Sequence, residues 1–305
     1  MKHGATLLYD VPGPRARRRN VLYALLFAVA VGAVVWWVVA SLADKNQLDW
    51  AKWSPFFTDS QTWTTFLLPA LKNTVIAAAL SMVIALPLGA LLGVGRLSDH
   101  RAVRVPAGVV VEFFRAIPVL ILMLFANAAY AQFTGVSPDN RPLYAVVTGL
   151  VLYNSSVLAE VVRAGILALP AGQTDAAKAI GMRKGQTMAY VLLPQSVTAM
   201  LPALVSQLVV IVKDTALGGA MLGFSELLAS VRPMSANYGA NTIASFTVVA
   251  VVFIVLNFAL TTFASWLEGR LRRGRRSTGA VVGAEAVEEL AAPGEHPQAG
   301  GTDRS

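Results

Sequence analysis

The chain has 305 residues, 55% of them hydrophobic and 14% charged, with a mean hydropathy of +0.59. A soluble domain carries about 25% charge, so an ordinary soluble enzyme is excluded, and the absence of cysteine excludes disulfides, thiolate metal sites and thiol redox chemistry. The net charge of +8 reads as a membrane-topology signal and not a nucleic-acid footprint, because the basic residues gather at the ends of apolar runs.

Charge-free stretches cover residues 21–43, 73–95, 116–138, 142–159, 185–212 and 233–267. A spanning helix needs roughly 20 mostly apolar residues, which makes this an all-α, polytopic membrane protein with about six transmembrane helices. Residues 1–20 form a basic N-terminus containing Arg15, Arg17, Arg18 and Arg19. The first apolar run, 21–43, exceeds the roughly 7–15 residues of a signal-peptide core, so it is expected to remain as the first span. Trp36, Trp37, Trp50, Trp53 and Trp63 suit an aromatic belt at a membrane interface.

The second span is expected over 68–95, with Pro87 inside it and Gly89 and Gly93 as a small-residue packing pair. An arginine-bearing loop, Arg96–Arg104, follows. The third span is expected over 105–131, the fourth over 143–163, the fifth from Pro194 to about Val212, and the sixth over 243–267. Basic residues cluster again at Arg270, Arg272, Arg273, Arg275 and Arg276. Six spans put all four basic regions on the cytoplasmic side, with both termini inside; five would place one cluster on the wrong side. The tail from Ser277 to Ser305 lacks a sustained apolar face and is expected to be disordered.

Between the fourth and fifth spans lies a polar, Ala- and Gly-rich patch. Asp175–Met182 reads as a short helix, with Asp175 in its first turn, where the helix dipole favours negative charge. Gly181 ends it, because glycine accepts left-handed geometry. A second short helix, Lys184–Leu193, is expected to stop at Pro194. The residues alone allow two readings: a solvated connector, or a rigid knob whose small residues let another protein approach closely.

Other polar residues lie at membrane depth, where charge is costly and faces a bundle interior or cavity. Glu112 and Arg115, and Glu160 and Arg163, each sit three apart and read as structural pairs on one helical face. Asn154, Ser155 and Ser156 fall near the middle of the fourth span, where they either line a pathway or hydrogen-bond another helix. Lys213-Asp214-Thr215 ends the fifth span, as a local ion pair or a receiver for a substrate carboxylate. His3, His100 and His296 lie in the tails and one loop, so no histidine metal centre is expected within the membrane. There is no Gly-x-x-x-x-Gly-Lys-Ser/Thr phosphate loop, and no nucleophile–histidine pairing, so catalysis by this chain is not expected.

Asp175-Ala176-Ala177, then Gly181, then nine residues before Val191-Leu192-Leu193-Pro194, resembles the EAA loop of ABC importer permeases, with aspartate for the usual glutamate and valine for isoleucine. Flanking Glu160, Arg163, Gly165, Ile166, Pro170, Gly172, Gln173, Gln195 and Pro202, and Phe114-Arg115-Ala116-Ile117-Pro118, resemble the polar amino-acid permeases of glutamate type. Ala116-Ile117 replaces the family's Gly-Thr. The resemblance covers about 68–268, with a coupling loop at 165–194; the first helix, 21–43, and the tail, 269–305, lie outside the common core.

The resemblance implies a permease subunit in the plasma or inner membrane, without its own ATPase site or cofactor. An extracytoplasmic binding protein delivers a polar amino acid, glutamate above all. A cytoplasmic ATPase dimer, which binds ATP-Mg, receives the loop through Gly172, Gln173, Asp175, Ala176, Ala177, Gly181, Met182 and Pro194. A second permease, a paralogue or another copy, completes the pathway within the lipid bilayer. The competing classes are an ion-coupled secondary transporter, which calls for inverted repeats, and a membrane scaffold or enzyme.

Overall fold

The structure, a computed structural model, describes residues 13–273. The expected disordered tail lies outside them. Every regular element among the described residues is helical: α1 (Pro14–Asp44), α2 (Trp50–Trp53), α3 (Pro55–Thr58), α4 (Leu68–Arg96), α5 (Arg101–Ala116), α6 (Val119–Phe133), α7 (Arg141–Leu167), α8 (Ala171–Ala179), α9 (Lys184–Gln186), α10 (Leu193–Leu222), α11 (Val231–Asn237) and α12 (Thr242–Arg273). Five helical stretches among the described residues are long and apolar enough to cross a membrane: Pro14–Asp44, Thr62–Arg96, Arg141–Leu167, Lys184–Leu222 and Thr242–Arg270.

The expected third span is not one straight helix. It divides into α5 and α6, bent by 99°. Pro118 disfavours helical geometry in the residue before it, and Ile117 is extended at φ −93 and ψ 129. With 15 residues at about 1.5 Å rise, α6 reaches about 22 Å, short of a hydrocarbon core of about 30 Å. α5 carries Arg101, Arg104, Glu112 and Arg115 along one stripe. The candidate spans among the described residues therefore number five, or six where the bent pair is taken as one broken span.

The fifth span also differs from expectation. The chain does not stop at Pro194 but passes through it, in a continuous helical stretch from Lys184 to Leu222. Proline lacks an N–H and its ring crowds the carbonyl four residues back. The preceding turn, Thr187–Leu192, is π-helical, and Leu193 N–H donates to Met188 O, five residues back. The same device recurs before Pro69: the turn Thr62–Leu67 is π-helical, and Leu68 N–H donates to Trp63 O. In each case the wider turn sits just upstream of a proline that a regular helix would resist.

The described residues group into two compact units. One comprises 13–70 and 228–251. Its core includes Phe56, Leu67, Val231, Met234, Ala244 and Val249, while α1 buries no residue. Tyr238 Oη donates to Asp59 Oδ2 at 2.6 Å and accepts from Thr62 Oγ1 at 2.9 Å. Lys52 Nζ donates to Gly239 O at 2.5 Å, and Asn241 Nδ2 donates to Lys52 O at 3.1 Å.

The other unit comprises 71–227 and 252–273, and α7 is its hub. Of the apolar window of α7, 67% is buried, against 28% or less for each other candidate span. Ala77, Ala78, Met123, Val146, Leu150, Ile211, Val212 and Phe224 form its main cluster. Gly89 and Gly93 let α4 lie directly on α7. A Cβ at Gly89 would fall 2.6 Å from Leu158 Cβ, and one at Gly93 would fall 2.7 Å from Ala159 O.

Candidate functional site

The polar patch after α7 folds into a capped helix on an apolar base. Pro170 opens α8, and Gln173 N–H donates to Pro170 O at 3.0 Å. The helix thus begins at Ala171, so Asp175 lies beyond the first turn expected for it. At the other end, Gly181 N–H donates to Lys178 O at 2.9 Å and Met182 N–H to Ala177 O at 3.0 Å. This bonding is a Schellman ending, which closes the last carbonyls of the helix. It needs a left-handed residue, and Gly181 supplies it at φ +80.

The faces of α8 are unequal. Ala177 is buried, so its smallness serves the packing of α8 on its own chain. Gly172, Gln173, Asp175, Ala176 and Ala179 are exposed. Ile180, directly before Gly181, is 79% exposed, a large apolar side chain that the sequence reading passed over. Beneath the loop, Val162, Ile166, Leu192 and Met200 form a buried cluster joined by Leu97, Leu169 and Met188. Gln195 Nε2 donates to Gln173 Oε1 at 3.1 Å, tying α8 to α10. Pro194 is half-buried in α10 and so lies in the base rather than on the exposed face.

The two expected charge pairs belong to one network. Arg115 Nη1 lies 3.9 Å from Glu112 Oε1 and 3.5 Å from Glu160 Oε1, and Arg163 Nη1 lies 3.6 Å from Glu160 Oε2. Arg96, the last residue of α4, joins them by contacting Glu112 Oε1 at 3.1 Å and Glu160 Oε1. Three arginines and two glutamates therefore tie α4, α5 and α7 together at one end. Glu160 meets all three arginines and is the hub, while Arg96, with its side chain mostly buried, is the member that only the fold reveals.

Asn154 is fully buried. Its Nδ2 donates to Leu150 O at 2.8 Å, and its Oδ1 accepts from Gln207 Nε2 on α10. Ser155, Ser156 and Thr215 turn their hydroxyls back onto carbonyls of their own helices, at 3.1, 2.6 and 2.7 Å. Lys213 and Asp214 lie within α10, well short of its end at Leu222. Among the described residues no ion pair within 4.0 Å joins them. Lys213 is exposed and Asp214 half-buried. The fold thus brings Asn154 to Gln207, a partner the sequence reading did not name.

Residues 85–273 match the family of binding-protein-dependent transport system inner membrane components. The chain belongs to that family. It is 49% identical over 234 residues to the glutamate transport system permease protein GluD of Corynebacterium glutamicum, covering 77% of this chain and 85% of that one. It is 27% identical over 257 residues to the inner membrane amino-acid ABC transporter permease protein YhdY of Escherichia coli K12, covering 83% of this chain and 65% of that one. A crystal structure of an amino acid ABC transporter with histidines superposes with a TM-score of 0.61 at 25% identity, covering 68% of this chain and 95% of that chain. This inner membrane component is a permease, not an ATPase, so the readings as ion-coupled carrier, scaffold or enzyme fall away. The matched region begins at residue 85 and contains α5 to α12, hence the capped loop, Asn154, Gln207 and all of the charge network.

Proposed function

We propose that this permease forms the transmembrane pathway of an ATP-binding-cassette importer for a polar amino acid, glutamate first, and that α8 with its Gly181 ending docks into a separate cytoplasmic ATPase. The observation that carries this is the Schellman-capped α8, held on a buried apolar base and offering Gly172, Asp175, Ala176 and Ala179 outward. A force-receiving element must be stiff, small-surfaced and attached to the helices it moves. α8 meets all three demands.

In this reading the N- and C-termini and α8 face the cytoplasm, in keeping with the placement of arginine and lysine. An extracytoplasmic binding protein presents the amino acid on the opposite side. ATP-Mg binds in the ATPase dimer, whose closure displaces α8. The buried cluster of Val162, Ile166, Leu192 and Met200 passes that displacement to α7 and α10. Those two helices carry Asn154 and Gln207, and Ser155, Lys213, Asp214 and Thr215 lie on them as further pathway candidates. A second permease, paralogue or copy, closes the pathway. The identity to GluD supports glutamate as the cargo.

The test is reconstitution with the ATPase and binding protein in liposomes. Uptake of labelled glutamate is expected only with ATP, and is expected to fall with ATPase attachment in Gly181→Asp. Normal uptake by Gly181→Asp would sink the docking assignment. Intact ATPase attachment with lost uptake in Asn154→Ala or Lys213→Ala would locate the pathway.

A further inference from the structure

Lys184 opens α9 two residues after the Schellman ending of α8. Its Nζ donates to Leu97 O at 2.9 Å and also to Asp99 Oδ1. Both acceptors lie in the tight turn between α4 and α5. That turn is braced by its own bonds: Leu97 N–H to Val94 O at 3.0 Å, Ser98 N–H to Gly95 O at 3.1 Å, and Arg104 Nη1 to Ser98 O at 3.3 Å. One ammonium therefore grips a preformed turn at two points.

On either side of this bridge the surface is open. A cleft of about 600 Å³ is lined by Leu97, Ile166, Thr174, Lys178 and Met188. Another of about 520 Å³ is lined by Val94, His100, Val103, Gly185 and Leu193. Asp99 and Lys184 line both. The bridge is a strut across a groove. The Lys184 hydrogen bond, with the charges of Lys184, His100 and Arg104, holds the Asp99 carboxyl below the usual carboxylate range despite the opposing effect of desolvation. Both side chains are more than half exposed, and an exposed ion pair contributes little to stability. Its value here is positional.

We propose that Asp99 and Lys184 are positioning residues that transmit the displacement of α8 to the α4–α5 turn. This rests on the reading of α8 as the ATPase-docking element. Docking and transmission are then separable: Gly181 serves the first and the strut the second. The apolar base already touches α4 at Ala90 and Val94 and the turn at Leu97, so the strut matters as a directional polar bond to that turn, where the apolar contact alone lets the surfaces slide.

The experiment uses the full complex of permease, ATPase and binding protein in liposomes, and measures ATPase co-purification, ATP hydrolysis and glutamate uptake per ATP hydrolysed. In Asp99→Asn and Lys184→Met the ATPase is expected to co-purify as in wild type, while uptake per ATP falls about two- to fivefold, the range by which an exposed pair shifts a two-state equilibrium. The charge-swapped double variant Asp99→Lys/Lys184→Asp is expected to regain at least half of the lost ratio, and Lys184→Arg to lose less than Lys184→Met. An unchanged ratio in both single variants overturns the proposal, as does a loss with no recovery in the swap. Loss of ATPase co-purification in Lys184→Met also overturns it, because Lys184 would then belong to the docking surface. Retained co-purification in Gly181→Asp would instead overturn the docking reading itself. Should the swapped protein fail to fold, the comparison of Lys184→Arg with Lys184→Met decides.

Discussion

Gly181 separates two demands that docking elements usually merge: a left-handed backbone and a bare surface. Its φ is +80, and a Cβ added there meets nothing within 4 Å. Within this chain, then, the cost of Gly181→Ala is the backbone alone, about 1–2 kcal/mol for a left-handed L-residue. That is a roughly 5- to 30-fold shift against the closed end of α8. Asparagine tolerates left-handed geometry far better, so Gly181→Asn keeps the bonds to Lys178 O and Ala177 O while filling the space in front of them. If a partner packs there, Gly181→Asn lowers ATPase co-purification although α8 is intact, and Gly181→Asp abolishes ATP-driven uptake while the permease stays in the membrane. The assay is co-purification and liposome uptake for Ala, Asn and Asp variants side by side. Wild-type behaviour of Gly181→Asn, with impaired Gly181→Ala, would show that only the backbone matters and refute close approach.

Three further expectations follow from particular contacts. Asn154→Leu leaves Gln207 without its buried partner, which costs about 0.6–2 kcal/mol inside a membrane bundle; the Asn154→Leu/Gln207→Leu double variant should cost less than the sum of its parts in detergent unfolding midpoints, and strict additivity would deny the pair. Gly93→Ala places a Cβ 2.7 Å from Ala159 O, so α4 and α7 must part, at about 1–3 kcal/mol; an unchanged unfolding midpoint would contradict that close packing. The hydrogen bond from Tyr238, with a second from Gln61 N–H, holds the Asp59 carboxyl low, while burial first and Asp59 second push Tyr238 up. A lowered acid stabilises above its ordinary range and loses that as pH falls through its shifted value, and a raised phenol loses its contribution as pH rises beyond its ordinary value. Tyr238→Phe should therefore lower the unfolding midpoint by a constant amount from about pH 5 to 9, with the gap closing in stronger acid; a gap that varies between about pH 6 and 8 would refute the pairing.

The spans were legible because lipid demands long charge-free runs, and the run from Pro142 to Ala159 needs no tertiary knowledge to be seen. The elbow at Ile117-Pro118 was written in the chain too, as a proline following a stripe of four charges. A window of mean hydropathy blends α5 with α6 and hides it. Pro194 misled for a different reason. A helix can carry a proline when the turn before it widens to five-residue bonds, and no residue type announces that widening. Gly181 was readable because few residues sit at a positive φ without strain. Arg96 was not, because its partner Glu160 lies on another helix. Likewise Gln207 gains meaning only once α7 and α10 lie side by side, and Lys184 only once the α4–α5 turn is placed beneath it.

On the proposed reading, the capped α8 couples this permease to an ATPase. That coupling is tested most directly by glutamate uptake into liposomes holding the permease, its ATPase and its binding protein, with ATP present or absent and ion gradients collapsed. The expected result is uptake that requires ATP, survives collapse of the gradients, and disappears in Gly181→Asp. Uptake that follows an ion gradient without ATP, or that persists unchanged in Gly181→Asp, would contradict the account.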